Sequence, residues 1–231
     1  MEDAEGCTVQ TGADGVRAWA RPGLGAGAEP FAVDGLVTLP LRFLLLALAT
    51  VATLLPGPAV AGAEPAARTA CATTARSGFR PVGARVDVLG RDVRVVPVRR
   101  TANGAIGTPP VTKAGKSLVG WDRATRPGAG VGSVILDAHT WPDGSALGNA
   151  LLGRLRPGHT FSLRAADGRT VCYRVSARRS YPAARLPRAK AFRDWGPEQA
   201  VIVVCSGRRL GAGRWTRRTV WYAEPLVVVA R

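Results

Sequence analysis

Two apolar runs in this chain end on side chains that carry nucleophilic chemistry: SVILDA leads into His139, and AVIVV leads into Cys205. A thiol attacks as its thiolate, a form favoured by cationic neighbours, and Cys205 is followed at once by Ser206, Gly207, Arg208 and Arg209. An imidazole is the matching general acid and base. A cysteine alone is also a small hydrophobe that strands bury readily, so the pair rather than the thiol carries the reading. A third group follows thirteen positions after Cys205, where Arg218 enters the run RTVWYAEP. A guanidinium there can donate to an oxygen that gains negative charge. Arg217 and Arg208 stand close by as alternatives. His159, after Pro157-Gly158, reads as an ordinary surface histidine.

The elements that must bring these groups together are strands. Short β-prone runs fall at 83–89, 92–98, 131–138, 159–164, 169–177, 200–205 and 218–229, divided by Asn103-Gly104, Pro109-Pro110, Pro127-Gly128, Asp143-Gly144, Pro157-Gly158 and Asp167-Gly168. One helix is expected, over 145–155, with Ser145 as its N-cap and Leu147, Leu151 and Leu152 on one face. This all-β pattern fits a single sandwich or a closed barrel. At a barrel rim, two strand ends distant in sequence can meet. On the last strand Thr216, Arg218, Val220 and Tyr222 share one face, and Arg217, Thr219, Trp221 and Ala223 the other.

The chain has 231 residues, 46% hydrophobic and 21% charged, enough to bury a core, and a net charge of +16. Of its 32 basic residues 29 are Arg, in a chain also rich in Ala, Gly and Pro, so most arginines read as compositional. Residues 71–231 hold 28 basic and 9 acidic side chains, a field that favours polyanions without choosing among them. Residues 1–35 show no periodicity and read as disordered, or as a mis-assigned extension ahead of a start near Val37. Residues 36–63 contain the apolar run FLLLALATVATLL at 43–55, with Arg42 before it and Ala59-Val60-Ala61 after it. That run is expected to be a signal peptide or a membrane anchor. A polar linker at 64–78 then precedes the folded domain at 79–231.

The order of an AHT histidine after a strand, a strand ending in Cys, and then a Trp-x-x-Arg strand resembles the sortases, wall-associated cysteine transpeptidases of Gram-positive bacteria. The likeness spans about residues 80–231. Fragments similar to class F or related actinobacterial sortases are RPVGARVDVL, LVGW at 118–121, GRLRPGHTF at 153–161, ADGRTVCYRV and VWYAEPLVV. The resemblance implies a single closed β-barrel of about eight strands with one or two short helices. It implies catalytic roles for Cys205, His139 and Arg218, with no cofactor. The implied reaction cleaves an LPXTG-like sorting signal after Thr through a thioacyl-enzyme and transfers the acyl group to an amine. The implied partners are surface proteins bearing a C-terminal sorting signal and a cell-wall precursor or pilin amine, with the membrane joined through the N-terminal segment and no nucleic acid. The implied place is outside the cytoplasm of a Gram-positive cell, anchored or secreted. Ala138 and Val204 depart from the Gly and Thr that the family usually places there. The segment at 180–199 matches the loop that walls the family's sorting-signal groove.

The remaining cysteines are Cys7, upstream of the apolar run, and Cys71 and Cys172. Cys205 is expected to stay free, and Cys7 to be absent from the exported domain. In an oxidising exterior Cys71 and Cys172 are proposed to form a disulfide that staples the linker to the barrel; the competing reading is two unpaired thiols, with Cys172 buried between Val171 and Tyr173. No metal is implied, since neither CxxC spacing nor histidine partners at ligand intervals occur. An L,D-transpeptidase would need Ser-His-Gly-Cys, and a papain-like hydrolase would place Cys before His. The rival from another class is a non-catalytic cationic β-barrel that binds wall polymers or nucleic acid, which calls for exposed aromatics among basic residues.

Overall fold

The computed structural model describes residues 71–226 apart from Asn103 and Ala212. The expectations for 1–35, 36–63 and the first part of the linker, together with Cys7 and residues 227–229, lie outside the described residues. Among those described, no helix is long and apolar enough to cross a membrane.

The strands are β1 (Pro81–Val86), β2 (Arg91–Val98), β3 (Val119–Asp122), β4 (Ser133–Ala138), β5 (Thr160–Ala165), β6 (Thr170–Pro182), β7 (Gln199–Gly211) and β8 (Arg214–Pro225). They close into a barrel in the order β1-β2-β3-β4-β7-β8-β6-β5, with β5 returning to β1. Two neighbouring pairs are parallel, β2 with β3 and β4 with β7. Two short helices complete the set, α1 (Leu147–Arg154) and α2 (Arg188–Ala191). The Asp167-Gly168 signal makes the β5–β6 hairpin: Gly168 takes φ 88°, and the Asp167 carboxylate accepts from the Arg169 N–H.

Alternation along the strands divides the apolar residues between the barrel interior and its outer face. Val134, Leu136 and Ala138 of β4, Ala200, Ile202 and Val204 of β7, and Trp221 and Ala223 of β8 join Trp121, Phe161, Leu163 and Tyr173 in the main core. Their neighbours of opposite parity, Val201, Val203, Val220 and Tyr222, pack on the other face beneath Leu186, Ala191 and Phe192. Inside, Phe161 and Tyr173 stack with centroids 5.3 Å apart. Burying each such side chain contributes roughly 1.5–3 kcal/mol, which makes this alternation, and with it the register, costly to shift.

Several elements differ from expectation. β3 escapes notice because VGWD is four residues long and buried throughout, so it shows no alternation. β7 does not turn after Cys205: it continues to Gly211, with register shifts beyond Ser206 that absorb Gly207, which takes φ 78°. β6 likewise runs on to Pro182, and α2 forms inside the segment expected to be loop. Helix α1 begins two residues late. Its N-cap is Ala146 without a side-chain bond, because the Ser145 hydroxyl donates instead to the Asp143 carboxylate at 2.7 Å and accepts from Lys116 Nζ at 2.9 Å. The charged Lys116 donor thus occupies the serine oxygen that would otherwise accept a backbone N–H.

Of the two readings of the linker cysteine, the stapling disulfide is the one observed. Cys71 and Cys172 form a disulfide with Cα atoms 5.8 Å apart. The linker is laid against the barrel at this point. Thr73 Oγ1 donates to Leu226 O at 2.6 Å and accepts from the Cys172 N–H at 3.0 Å, while the Thr74 N–H donates to Thr170 O at 2.8 Å. Those bonds hold Cys71 opposite its partner, which a mobile linker would not do.

Candidate active site

The parallel pairing of β4 with β7 brings the ends of SVILDA and AVIVV together. Ala138 is the partner of Val204, so the next positions on the two chains are His139 and Cys205. On the other side of β7, Cys205 is the direct antiparallel partner of Arg218 on β8. Neighbouring strands lie about 4.8 Å apart, so the cysteine stands between the histidine and the arginine in one line across three strands. Parity places all three on the outer face: Cys205 alternates with Val204, and Arg218 with Thr219, whose partner is Ser206 Oγ at 2.9 Å. Arg217, of opposite parity, is exposed and donates from Nε to Ser180 Oγ at 2.8 Å; Arg208 is exposed as well.

A hydrogen bond locks the line. Thr140 Oγ1 donates to Cys205 O at 2.7 Å, both groups being buried. It extends the β4–β7 contact past the last ladder pair and keeps His139 beside the cysteine strand. Behind it, the Gly148 N–H donates to His139 O at 2.8 Å, tying helix α1 to the same point. Gly148 has no room for a side chain there, since a Cβ would stand 2.4 Å from His139 O.

His139 is completely buried. Its Nε2 lies 2.7 Å from Pro109 O, and a carbonyl only accepts, so Nε2 carries the proton. Nδ1 is left as the lone-pair nitrogen and has no hydrogen-bond partner. Burial pulls the imidazole below its ordinary value, while the carbonyls of Pro109 and Pro110 pull it up. Burial also lowers the value of Arg218, whose guanidinium nonetheless stays charged. Arg218 is 6% exposed and donates from one terminal nitrogen to Trp215 O at 3.2 Å and Arg217 O at 3.0 Å.

Cys205 is disulfide-bonded in this structure, and its partner lies outside the described residues. The expectation of a free thiol is therefore corrected. A thiolate at this position requires the reduced chain.

Sequence reasoning missed three neighbours. Thr140 was only part of the AHT string, the Pro109-Pro110 pair was read as a turn rather than as the roof over His139, and Asp137 passed unnoticed inside an apolar strand. The acid in SVILDA was the signal for the last. His159 accepts the Arg156 N–H at 3.2 Å and has no link to the line. Among the described tryptophans, Trp121 and Trp221 are core, while Trp195 is 67% exposed with the Arg193 guanidinium over its ring. Among the described residues no group of three His, Cys, Asp or Glu side chains is placed to hold a metal ion.

No family model matches the chain, and no curated protein matches it. Solved structures with a similar outline include sortase C1 of Streptococcus agalactiae in complex with MTSET, at 12% identity over 68% of this chain and 74% of that one, with a TM-score of 0.47. Sortase C1 of Streptococcus suis has 16% identity over 67% and 76%, also with a TM-score of 0.47. Sortase A of Listeria monocytogenes has 16% identity over 64% and 88%, again at 0.47. Identities and scores this low attach no activity to the chain.

Proposed function

We propose that the chain is a sortase-like cysteine transpeptidase working outside the cytoplasm, held to the membrane by its N-terminal segment or released from it. The observation that carries this reading is the line His139, Cys205, Arg218 across β4, β7 and β8, set by the Ala138–Val204 and Cys205–Arg218 pairings. Its support in the sequence is the order of histidine, cysteine and arginine strands.

In the reduced chain the Cys205 sulfur attacks the carbonyl carbon of Thr in an LPXTG-like sorting signal. The carbonyl oxygen gains negative charge beside the Arg218 guanidinium. His139, as imidazolium, gives its proton to the departing amine as the C–N bond breaks, leaving the Thr acyl group on sulfur as a thioester. An amine of a cell-wall precursor or of another surface protein then attacks that thioester. Neutral His139 takes the amine's proton, the new amide forms, and sulfur leaves as thiolate. Surface proteins with a C-terminal sorting signal are the acyl donors in this scheme.

The test is incubation of the reduced chain with a library of sorting-signal peptides, followed by mass spectrometry of the acid-quenched protein. The expected result is an acyl adduct on the peptide that contains Cys205, absent from Cys205→Ala. A chain that binds polyanions equally well with and without Cys205, and forms no adduct with any peptide, is a cationic binding barrel instead.

A further inference from the structure

Asp137 lies two residues before His139 on β4 and is 3% exposed. Parity puts its carboxyl on the same outer face as the imidazole. Its cross-strand partner on β3 is Gly120, and its partner on β7 is Val203. The carboxyl occupies the space that a side chain on Gly120 would need: a Cβ there would stand 2.0 Å from Asp137 Oδ1 and 2.9 Å from Pro109 Cδ. The acid is thus folded under the same proline whose carbonyl takes the His139 Nε2 proton.

Asp137 Oδ1 and His139 Nδ1, two buried polar atoms on this face, have no hydrogen-bond partner among the described residues. Leaving a buried polar group unpaired is costly, so the pair marks a place where stability is given up. The two atoms are also complementary. Pro109 O fixes the tautomer with hydrogen on Nε2, which leaves Nδ1 without a proton to donate. The nitrogen that must exchange protons during thiol chemistry cannot at the same time be held by a backbone carbonyl.

We propose that Asp137 is a positioning residue for His139: when Nε2 leaves Pro109 O, the ring proton is carried on Nδ1 and donated to Asp137 Oδ1, which turns Nε2 toward the reacting atoms. Pro109 then stabilises the resting tautomer and Asp137 the working one. The ring proton leaves Nε2 and returns on Nδ1 through water, so the imidazole stays neutral and nothing is gained or lost. The arrangement follows the general rule that a catalytic base is oriented by a third group. Burial raises the Asp137 value well above that of an ordinary carboxyl and is the one cause acting on it. Gly120, Val203 and Pro109 face it without charge, leaving His139 as the titratable group on its own strand. A neutral carboxyl still offers its carbonyl oxygen as acceptor. This inference rests on the thiol-imidazole reading of the site.

The test compares Asp137→Leu and Asp137→Asn with the parent chain, all reduced, by nitrogen-15 NMR of labelled histidine, with His139→Gln assigning the signal. The parent chain is expected to populate both tautomers of His139. Asp137→Leu should hold it on Nε2–H alone, and Asp137→Asn, whose amide oxygen accepts in the same place, should restore the Nδ1–H form. Peptide cleavage should fall about 100-fold in kcat for Asp137→Leu with KM little changed, and recover in large part for Asp137→Asn. Asp137→Val is the smaller replacement if leucine disturbs the strand. Equal tautomer ratios in the parent and in the folded apolar variant would overturn the proposal. The NMR result decides the matter even if no peptide is cleaved, an outcome that would count against the transpeptidase reading alone.

Discussion

Thr140 and Cys205 are 65 positions apart in the chain, and a single buried hydrogen bond of 2.7 Å joins the hydroxyl of one to the carbonyl of the other. The bond lies one step beyond the β4–β7 ladder, whose last pair is Ala138 with Val204. Thr140→Val keeps the shape and removes the donor, leaving the Cys205 carbonyl buried without it. Stability should drop by about 1–3 kcal/mol, measured by urea unfolding, and Thr140→Ser should recover most of the loss. A Thr140→Val protein as stable as the parent would show that the carbonyl finds water.

Arg218 and Arg217 are neighbours in sequence with opposite surroundings. Arg218 is buried beside Cys205, whereas Arg217 is exposed and bonded to Ser180. Arg218→Lys should lower kcat by roughly 100-fold or more, because an ammonium cannot reproduce directed guanidinium donors. Arg217→Ala should stay within about twofold to threefold, the small cost of removing a surface side chain. Reversed effects in steady-state cleavage would move the oxyanion role to Arg217.

His139 is held below its ordinary value of 6.5, chiefly by burial. The unfolded chain therefore takes up this proton at higher pH than the folded one does. Stability should fall as pH drops through about 6.5 and continue to fall until the folded imidazole also protonates. His139→Gln lacks this dependence, so its stability relative to the parent should improve at pH 5 compared with pH 8. Identical differences at the two pH values, by urea unfolding, would mean that His139 is solvated before it titrates.

Asp137 has the opposite sign. Its folded value is raised above 3.8 by burial, so its contribution to stability is fully present below that pH and is lost as pH rises through the folded value. Asp137→Asn should gain stability over the parent as pH climbs from 4 toward neutrality. A constant gap across that window would show the carboxyl ionised and solvated in the folded chain.

The Cys71–Cys172 bridge closes a loop across a sequence separation of 101 residues. Its removal in Cys71→Ser with Cys172→Ala should cost about 2–5 kcal/mol, seen as a lower thermal midpoint. The reaction itself should be little affected. From Cys172 to Tyr181, the β6 partner of Arg218, strand rise of about 3.3 Å per residue puts the bridge roughly 30 Å from the site. A large loss of kcat at a temperature where the variant is folded would contradict that separation.

Much of the barrel was legible because its strands alternate. β2, β4, β5 and the first halves of β6 and β7 lie within a residue or two of where apolar residues and turn signals put them, and parity on β8 divided its residues between the two faces as observed. What failed shares a cause. β3 is buried on both faces, and the far ends of β6 and β7 are polar, so neither shows the period of two on which the reading depends. The Cys71–Cys172 bridge was one of two readings open in the sequence; what selects it is where Thr73 and Thr74 dock, a long-range fact that spacing does not record. The proposed site residues Cys205, His139 and Arg218 stood out by chemical type. Asp137 and Pro109 did not, since what draws notice to them is the space above Gly120 and not any motif.

The parallel β4–β7 pair has a consequence for when the site comes into being. Its two strands are separated by α1, β5, β6 and α2, so their alignment waits on the folding of everything between them. Topologies built from such distant pairings fold slowly, because the entropy of closing long loops is spent before the contacts repay it. A chain caught partway, with hairpins formed but the ring of strands still open, has its sulfur and imidazole on separate pieces. The juxtaposition of Cys205 with the histidine segment is thus a property of the finished barrel.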